Sequence, residues 1–488
     1  MAQVEAFCLL AVAGGLLWNV APVNDVAWQL WIGRQLLHGS KLYVDIMEVN
    51  PPLWFWMAVP VAWIAGVVGL TGYHTFLLLF LLVAAVSMLL AQALIKDMPG
   101  RGPMLASVPV ATLLIGLDLF GQREQFALVA TVPYVLLYGR RATGLHCRTD
   151  LAIVAGCLAA IGLALKPYFL TVPIGLEIWL WLATRRFAVR AEMLAGIACF
   201  MLYGAAVLLF APAYFRDMMP LAGLAYGGYD RTLAEQVAQP AVVMAGLVAL
   251  GLTLYGPPKS RIAQALLMAG AGFLVACFLQ QKGWRYQSLP AMGFLLLAVV
   301  AEAGVFVWRA GSVRQRASLL LFAMALLCPV IGLSRGLWAA GHDNADRATQ
   351  SLHPGDVVMV LSTSGGRFWP LPEERGFVWP SRHMTYWMLI KVMEDLSRPD
   401  PKPELVRLAA RIRREAAEDL LCHPPRMILV DRYNEAFPGQ DIFAFFSVEP
   451  RIARLFENYR RGADYGEFST YALVRNVPPS RNKCRPIY

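Results

Sequence analysis

The sequence predicts a polytopic α-helical membrane protein whose last third is water-soluble. Three observations carry that reading. Of 488 residues, 58% are hydrophobic and 16% are charged, where a soluble globular chain has about 25% charged residues. Apolar runs of roughly 20 residues, the length a helix needs to cross the hydrocarbon, recur through the first two thirds of the chain. After Leu337 the texture changes: charges, prolines and polar loops become frequent and no run is long enough to span. The boundaries that follow are a transmembrane domain over residues 1–336, with its first outer loop at 22–73, and a soluble domain over 337–488.

Eleven candidate spans can be drawn: 4–21, 74–95, 103–117, 122–139, 151–165, 168–184, 194–212, 239–256, 262–279, 288–307 and 318–335. The first apolar segment has no basic residue before it, so it reads as an uncleaved span rather than a signal peptide. Residues 51–70 are also apolar enough to cross. They begin Pro51-Pro52, carry Trp54, Trp56 and Trp63, and have Pro60 in the middle. Tryptophan favours the membrane interface, so this segment is expected as a helix lying at the outer surface or partly re-entrant.

The loops sort by charge. One set holds Lys96, Arg101, Arg140, Arg141, Arg148, Arg185, Arg186, Arg190, Lys259, Arg261, Arg309, Arg314 and Arg316, against only Asp97, Asp150 and Glu192. The positive-inside rule makes that set cytoplasmic. It also accounts for many of the basic residues behind the net charge of +10 without nucleic acid. The opposite, acidic or balanced set and the C-terminal domain then face outside. Eight cysteines are scattered without paired metal spacing. Cys422 and Cys484 lie in the soluble domain and could form a disulfide in an oxidising compartment.

The outer loops gather chemistry. In Asn24–Trp56, Asp25 follows the first span, a helix with Trp28, Trp31, Ile32 and Leu36 on one face is expected over 26–38, and Asp45, Glu48 and Asn50 precede the Pro51-Pro52 pair. Carboxylates held against a membrane surface are functional candidates, as bases or cation ligands. A solvated loop is the plain alternative. The second patch, Asp118–Gln125, contains Arg123 and Glu124, which either neutralise one another or hold a charged substrate. The third is Lys166 before Pro167, which either snorkels or meets a phosphate. The fourth, Gln280–Pro290, places Lys282, Arg285, Tyr286 and Gln287 at the mouth of a span, a mixture suited to a lipid phosphate or a sugar.

On these residues the chain resembles the GT-C superfamily of membrane glycosyltransferases, among them the bacterial protein O-mannosyltransferase-like and lipid A aminoarabinose transferase-like enzymes. The matching features are Asp25 after the first span, then GRQLLHGSKLYVDIMEVNPPLWFW, Asp118 after the third span and Lys166 closing the fifth. The resemblance covers about residues 1–335. It implies a GT-C fold with juxtamembrane helices at the outer face of the bacterial inner membrane, and a polyprenyl-phosphate sugar as donor. The acceptor would be a lipid, a glycan or a protein. Asp25, Asp45, Glu48 and Asp118 are the implied catalytic carboxylates. Arg123, Lys166, Lys282, Arg285, Tyr286 and Asn50 are the implied substrate and phosphate ligands. A divalent cation, Mg2+ or Mn2+, is implied at Asp45 and Glu48. Many relatives carry two adjacent acidic residues at the first motif; here Asn24-Asp25 supplies one, which weakens metal binding there. The implied reaction is a single displacement with inversion, Asp25 serving as base.

The soluble domain contains strand-like stretches at 356–363, 426–431 and 470–476 and an amphipathic helix at 404–421, which predicts a small α/β or α+β domain. Ser362–Gly366 is glycine-rich without a nucleotide fingerprint and reads as a turn. His383, Tyr386 and Trp387 could touch carbohydrate, with packing the plainer role. Two rival functions stand beside the transferase: a flippase for lipid-linked sugars, for which Glu177 would be the main mid-membrane polar group, and a non-catalytic envelope assembly protein.

Overall fold

The computed structural model describes residues 2–98, 100–256, 258–306, 313–337, 343–432, 441–480 and 484. Arg309, one of the loop cations, lies outside them. The chain forms two compact units: Met1–Val20, His74–Leu208 and Asp230–Ala339 make one, and Ala21–Tyr73, Leu209–Tyr229 and Ala340–Tyr488 make the other.

The first unit is all helix. Each expected span coincides with a helix, and among the described residues six helices are long and apolar enough to cross a bilayer: Gly72–Ile95, Arg101–Leu119, Ala191–Phe210, Arg261–Gln280, Arg285–Ala303 and Val313–Ser334. Gln3–Trp18, Thr149–Leu163 and Pro240–Tyr255 are apolar but shorter. The centre of this unit is the helix Arg123–Ala142, buried at every residue from Arg123 to Arg140. A helix shielded all round belongs to an interior rather than a surface. Thr149–Leu163 approaches it closely at Gly162, where an added Cβ would stand 2.8 Å from the Ala130 Cβ. At the end carrying the basic loops, ion pairs lock the helices together. Arg140 meets Asp97 at 2.7 Å, and Glu192 takes Arg141 at 3.0 Å and Arg190 at 3.2 Å. Glu177 accepts from Arg190 and from the Tyr138 hydroxyl.

The second unit is α/β and open-sheeted. Strands β1 (Val358–Leu361), β2 (Met427–Asp431), β3 (Tyr459–Tyr465) and β4 (Phe468–Leu473) form one mixed sheet in the order β1-β2-β4-β3. β1 and β2 are parallel; β4 is antiparallel to both its neighbours. The helix Pro403–Cys422 buries Leu405, Leu408, Ile412 and Ala416, the face its spacing predicts. Cys422 and Cys484 are bonded, with Cα atoms 5.3 Å apart.

The first outer loop belongs to this unit. Its helix Asn24–Leu37 buries Trp28 and Trp31, which stack at 4.6 Å between centroids, and Trp369 meets both rings edge-on. Arg34 and Glu373 pair bidentately at 2.7 and 2.9 Å, and the Met47 N–H donates to the Arg382 carbonyl at 2.8 Å. The segment expected at the outer surface is the helix Leu53–Val68, 16 residues long and packed on Asn24–Leu37. At a rise of about 1.5 Å per residue it is roughly 24 Å long, short of a hydrocarbon core of about 30 Å.

Candidate functional site

In the membrane unit the polar side chains converge on Lys166. The Pro167 ring disfavours helix at the preceding residue, and Lys166 is accordingly extended, which turns it out of the end of Thr149–Leu163. Lys166 is 6% exposed, and its ammonium donates to Glu124 Oε1 at 2.6 Å and Gln280 Oε1 at 2.7 Å. The Tyr286 ring lies 5.5 Å away. Glu124 sits in the first turn of Arg123–Ala142, where the helix dipole favours a negative charge. Gln280 closes Arg261–Gln280, and Gln287, one turn into Arg285–Phe306, donates to its Oε1 at 3.2 Å. Two buried oxygens of this cluster, Glu124 Oε2 and Gln287 Oε1, accept no hydrogen bond among the described residues. A buried acceptor without a donor is costly unless a water or a ligand supplies one.

Two more of the expected cations of this unit are held by carboxylates. Arg285 bonds Asp118 at 2.8 Å and the Gly332 carbonyl, and Lys282 bonds Asp230. Arg123 is buried. Asp118, read from the sequence as catalytic, is thus an ion-pair partner of Arg285, with its second oxygen buried and unpartnered among the described residues. Of the two readings of Arg123 and Glu124, mutual neutralisation or a hold on a charged substrate, the contact seen at Glu124 is neither: Lys166, 42 residues further on, bonds its carboxylate. Side chains of neighbouring residues on a helix diverge, so the two need not meet.

The remaining expected residues lie in the second unit. Asp25 is in the first turn of Asn24–Leu37 and half-buried. Burial first, and then the Asp25 charge, push the Tyr229 phenol above its ordinary value. Tyr229 therefore stays protonated and donates to the Thr363 carbonyl at 3.1 Å. Asn24 lies against Gly365, where an added Cβ would come within 3.2 Å of its amide nitrogen.

Glu48 and Asn50 come together, but as architecture. Glu48 Oε1 accepts from Val49 N, Asn50 N and Asn50 Nδ2 at 2.6–2.9 Å, and Oε2 accepts from Trp28 Nε1 at 3.1 Å. Asp45 instead closes its own turn, accepting the Lys41 N–H at 2.7 Å. N–H donors point at the Glu48 lone pairs a divalent cation would need, so this donor set does not fit the ion expected there. In the α/β part, His383 and Tyr386 are buried. Burial alone would raise the Glu415 carboxyl, but the hydrogen bond and charge of His383 and the Arg411 guanidinium hold it down at about 2.

In the Lys166 cluster, Glu124, Gln280 and Gln287 stand outside the implied catalytic and binding set, although Glu124 and Gln287 belong to the polar patches named from the sequence. The signal was present for all three: polar side chains in the first or last turn of apolar helices, on the side already marked by Lys166 and Arg285.

No protein-family model matches the chain, and no curated protein matches it. Solved structures do. The crystal structure of ArnT from Cupriavidus metallidurans bound to undecaprenyl phosphate superimposes with a TM-score of 0.51 at 12% identity, covering 98% of each chain. The cryo-EM structure of the arabinofuranosyltransferase AftD from mycobacteria gives a TM-score of 0.47 at 14% identity, over 98% of this chain and 40% of that one. The likeness to ArnT is one of fold: a polytopic helical membrane protein with a C-terminal α/β region, laid out along nearly the whole of both chains.

Proposed function

We propose that the chain is a glycosyltransferase of the GT-C type. It would move a sugar from a polyprenyl-phosphate donor to a lipid, glycan or protein acceptor at the outer face of the bacterial inner membrane. The observation that carries this reading is the Lys166 cluster. It combines a buried ammonium, suited to a phosphate oxygen, with buried oxygens on Glu124 and Gln287 that lack donors, suited to sugar hydroxyls. The fold shared with ArnT supports it.

The chemistry assigned is a single displacement. The acceptor hydroxyl gives its proton to Asp25 and its oxygen attacks the anomeric carbon. The bond from that carbon to the phosphate oxygen breaks, and the polyprenyl phosphate leaves with the electron pair, stabilised by Lys166 and Arg285. A phosphate leaves without a general acid, so the second carboxylic acid of a hydrolase pair is unnecessary. Inversion at the anomeric carbon follows. Glu177, the polar group a translocation reading would use, bonds Arg190 and Tyr138.

The test is to incubate purified protein with a panel of polyprenyl-phosphate sugars and follow release of polyprenyl phosphate. Turnover with one donor, lost in Lys166→Met, is expected. Absence of turnover with every donor, together with reconstituted translocation of one of them, would overturn the assignment.

A further inference from the structure

A second feature of the membrane unit is unrelated to the Lys166 cluster. An apolar cavity of about 50 Å³, which widens to about 400 Å³ once the open space at its mouth is counted, lies among the helices Pro240–Tyr255, Arg261–Gln280, Arg285–Phe306 and Val313–Leu337. Val248, Leu252, Leu267, Ala298, Leu319 and Phe322 line it. Among the described lining residues, Glu302 is the one that carries a charge. Its oxygens accept the main-chain N–H groups of Lys259 and Ser260 at 3.0 Å each.

That carboxylate therefore fixes the rim. Gln264 fastens the same turn, donating to the Pro258 carbonyl at 2.6 Å and accepting from Arg261 at 2.8 Å. Lys259 extends from the turn into the exposed zone. Arg316 is exposed three residues before Leu319, so it stands one helical turn from the lining on the same face. Lys259, Arg261 and Arg316 all belong to the basic loops that the charge rule assigns to the cytoplasm.

We propose that this cavity binds one acyl chain of an anionic glycerophospholipid of the inner leaflet, with Lys259 and Arg316 holding its phosphate headgroup. The apolar wall takes the chain. The rim supplies positive charge, and Glu302, the carboxylate among the described lining residues, is occupied by main-chain donors. The proposal does not rest on the transferase reading.

Native mass spectrometry of the full chain in detergent tests it, with phosphatidylglycerol and phosphatidylcholine of matched chains in equal amounts. The wild-type chain retains phosphatidylglycerol preferentially. Each basic residue near a membrane surface is worth about a factor of five for an anionic lipid. Lys259→Gln with Arg316→Gln, both on exposed side chains, therefore lowers the preference by about tenfold or more. Leu267→Trp fills the mouth and reduces retention of both lipids. Equal retention of the two lipids by the wild-type chain overturns the proposal. So does an unchanged preference in the charge variant, unchanged retention in Leu267→Trp, or displacement of bound phosphatidylglycerol by added polyprenyl phosphate, which would give the cavity to a prenyl chain.

Discussion

Replacing Lys166 by methionine removes the ammonium and leaves Glu124 without its one cation at 0% exposure. At their separation of 2.6 Å the two charges attract by about 6 kcal/mol with an effective dielectric constant of about 20. Desolvation offsets much of this, so the useful figure is the penalty for stranding one partner, about 3–5 kcal/mol. For a domain of some 150–250 residues that corresponds to a fall in melting temperature of about 6–20 °C. Glu124→Gln strands the ammonium in turn, with two amide oxygens to soften the loss. Lys166→Met combined with Glu124→Gln removes both charges, so the double variant is destabilised by less than the sum of the singles. The assay is thermal unfolding of detergent-solubilised protein by tryptophan fluorescence at one scan rate, read as a double-mutant cycle. Additive losses, or a Lys166→Met protein as stable as wild type, would refute the pairing. The double variant also separates two roles: it regains stability while transfer from a polyprenyl-phosphate donor stays absent, because the phosphate has still lost its ammonium.

Three further outcomes are expected. Reduction of Cys422–Cys484, which closes a 62-residue separation, destabilises the α/β unit by up to about 4 kcal/mol on the chain-entropy account, seen as a thiol count rising by two with a lower melting temperature. Glu415 has its carboxyl lowered from 4.5 to about 2, so its contribution is complete above pH 4.5 and is lost as pH falls towards 2. That loss amounts to about 3 kcal/mol, and Glu415→Gln flattens the acid limb of a stability-against-pH curve. Asp25→Asn lowers turnover at least about 100-fold with little loss of stability, whereas Glu48→Gln disturbs the donors on Oε1 and destabilises by about 1–3 kcal/mol without removing a base. The reverse pattern would exchange the roles assigned to the two carboxylates.

Much of the fold was legible because membrane helices announce themselves by texture. Every expected span coincides with a helix, although among the described residues six meet the length and apolarity of a crossing segment. In the soluble part, three strands are apolar runs and were readable. β3, with the sequence YRRGADY, was not: it is an exposed edge strand whose polar residues carry no burial pattern. The grouping of the first outer loop with residues 340–488 was also invisible, since it depends on pairs such as Arg34–Glu373, 339 residues apart. Lys166 stood out because a lysine before proline at the end of an apolar run is conspicuous. Glu124 did not, because the adjacent Arg123 offered a cheaper explanation, and the contact that matters is made by a distant helix end.

In the membrane unit Lys166, Lys282 and Arg285 are each held by a carboxylate, but the holds differ in strength. Glu124 is wholly buried beside Lys166, while Asp230 leaves 43% of its side chain exposed beside Lys282. A half-exposed pair contributes little and is screened by salt. An arriving phosphate therefore displaces Asp230 from Lys282 far more readily than Glu124 from Lys166. On the proposed transferase reading, Lys282 then acts in capture of the donor and Lys166 in holding the charge that develops as the bond to phosphate breaks. Lys282→Gln should raise KM several-fold with kcat unchanged, the signature of binding shared equally by ground and transition states, and should weaken the dependence of KM on ionic strength. Steady-state kinetics with one polyprenyl-phosphate sugar at several salt concentrations decides it. A fall in kcat with KM unchanged would place Lys282 in the transition state and break the division of labour between the two lysines.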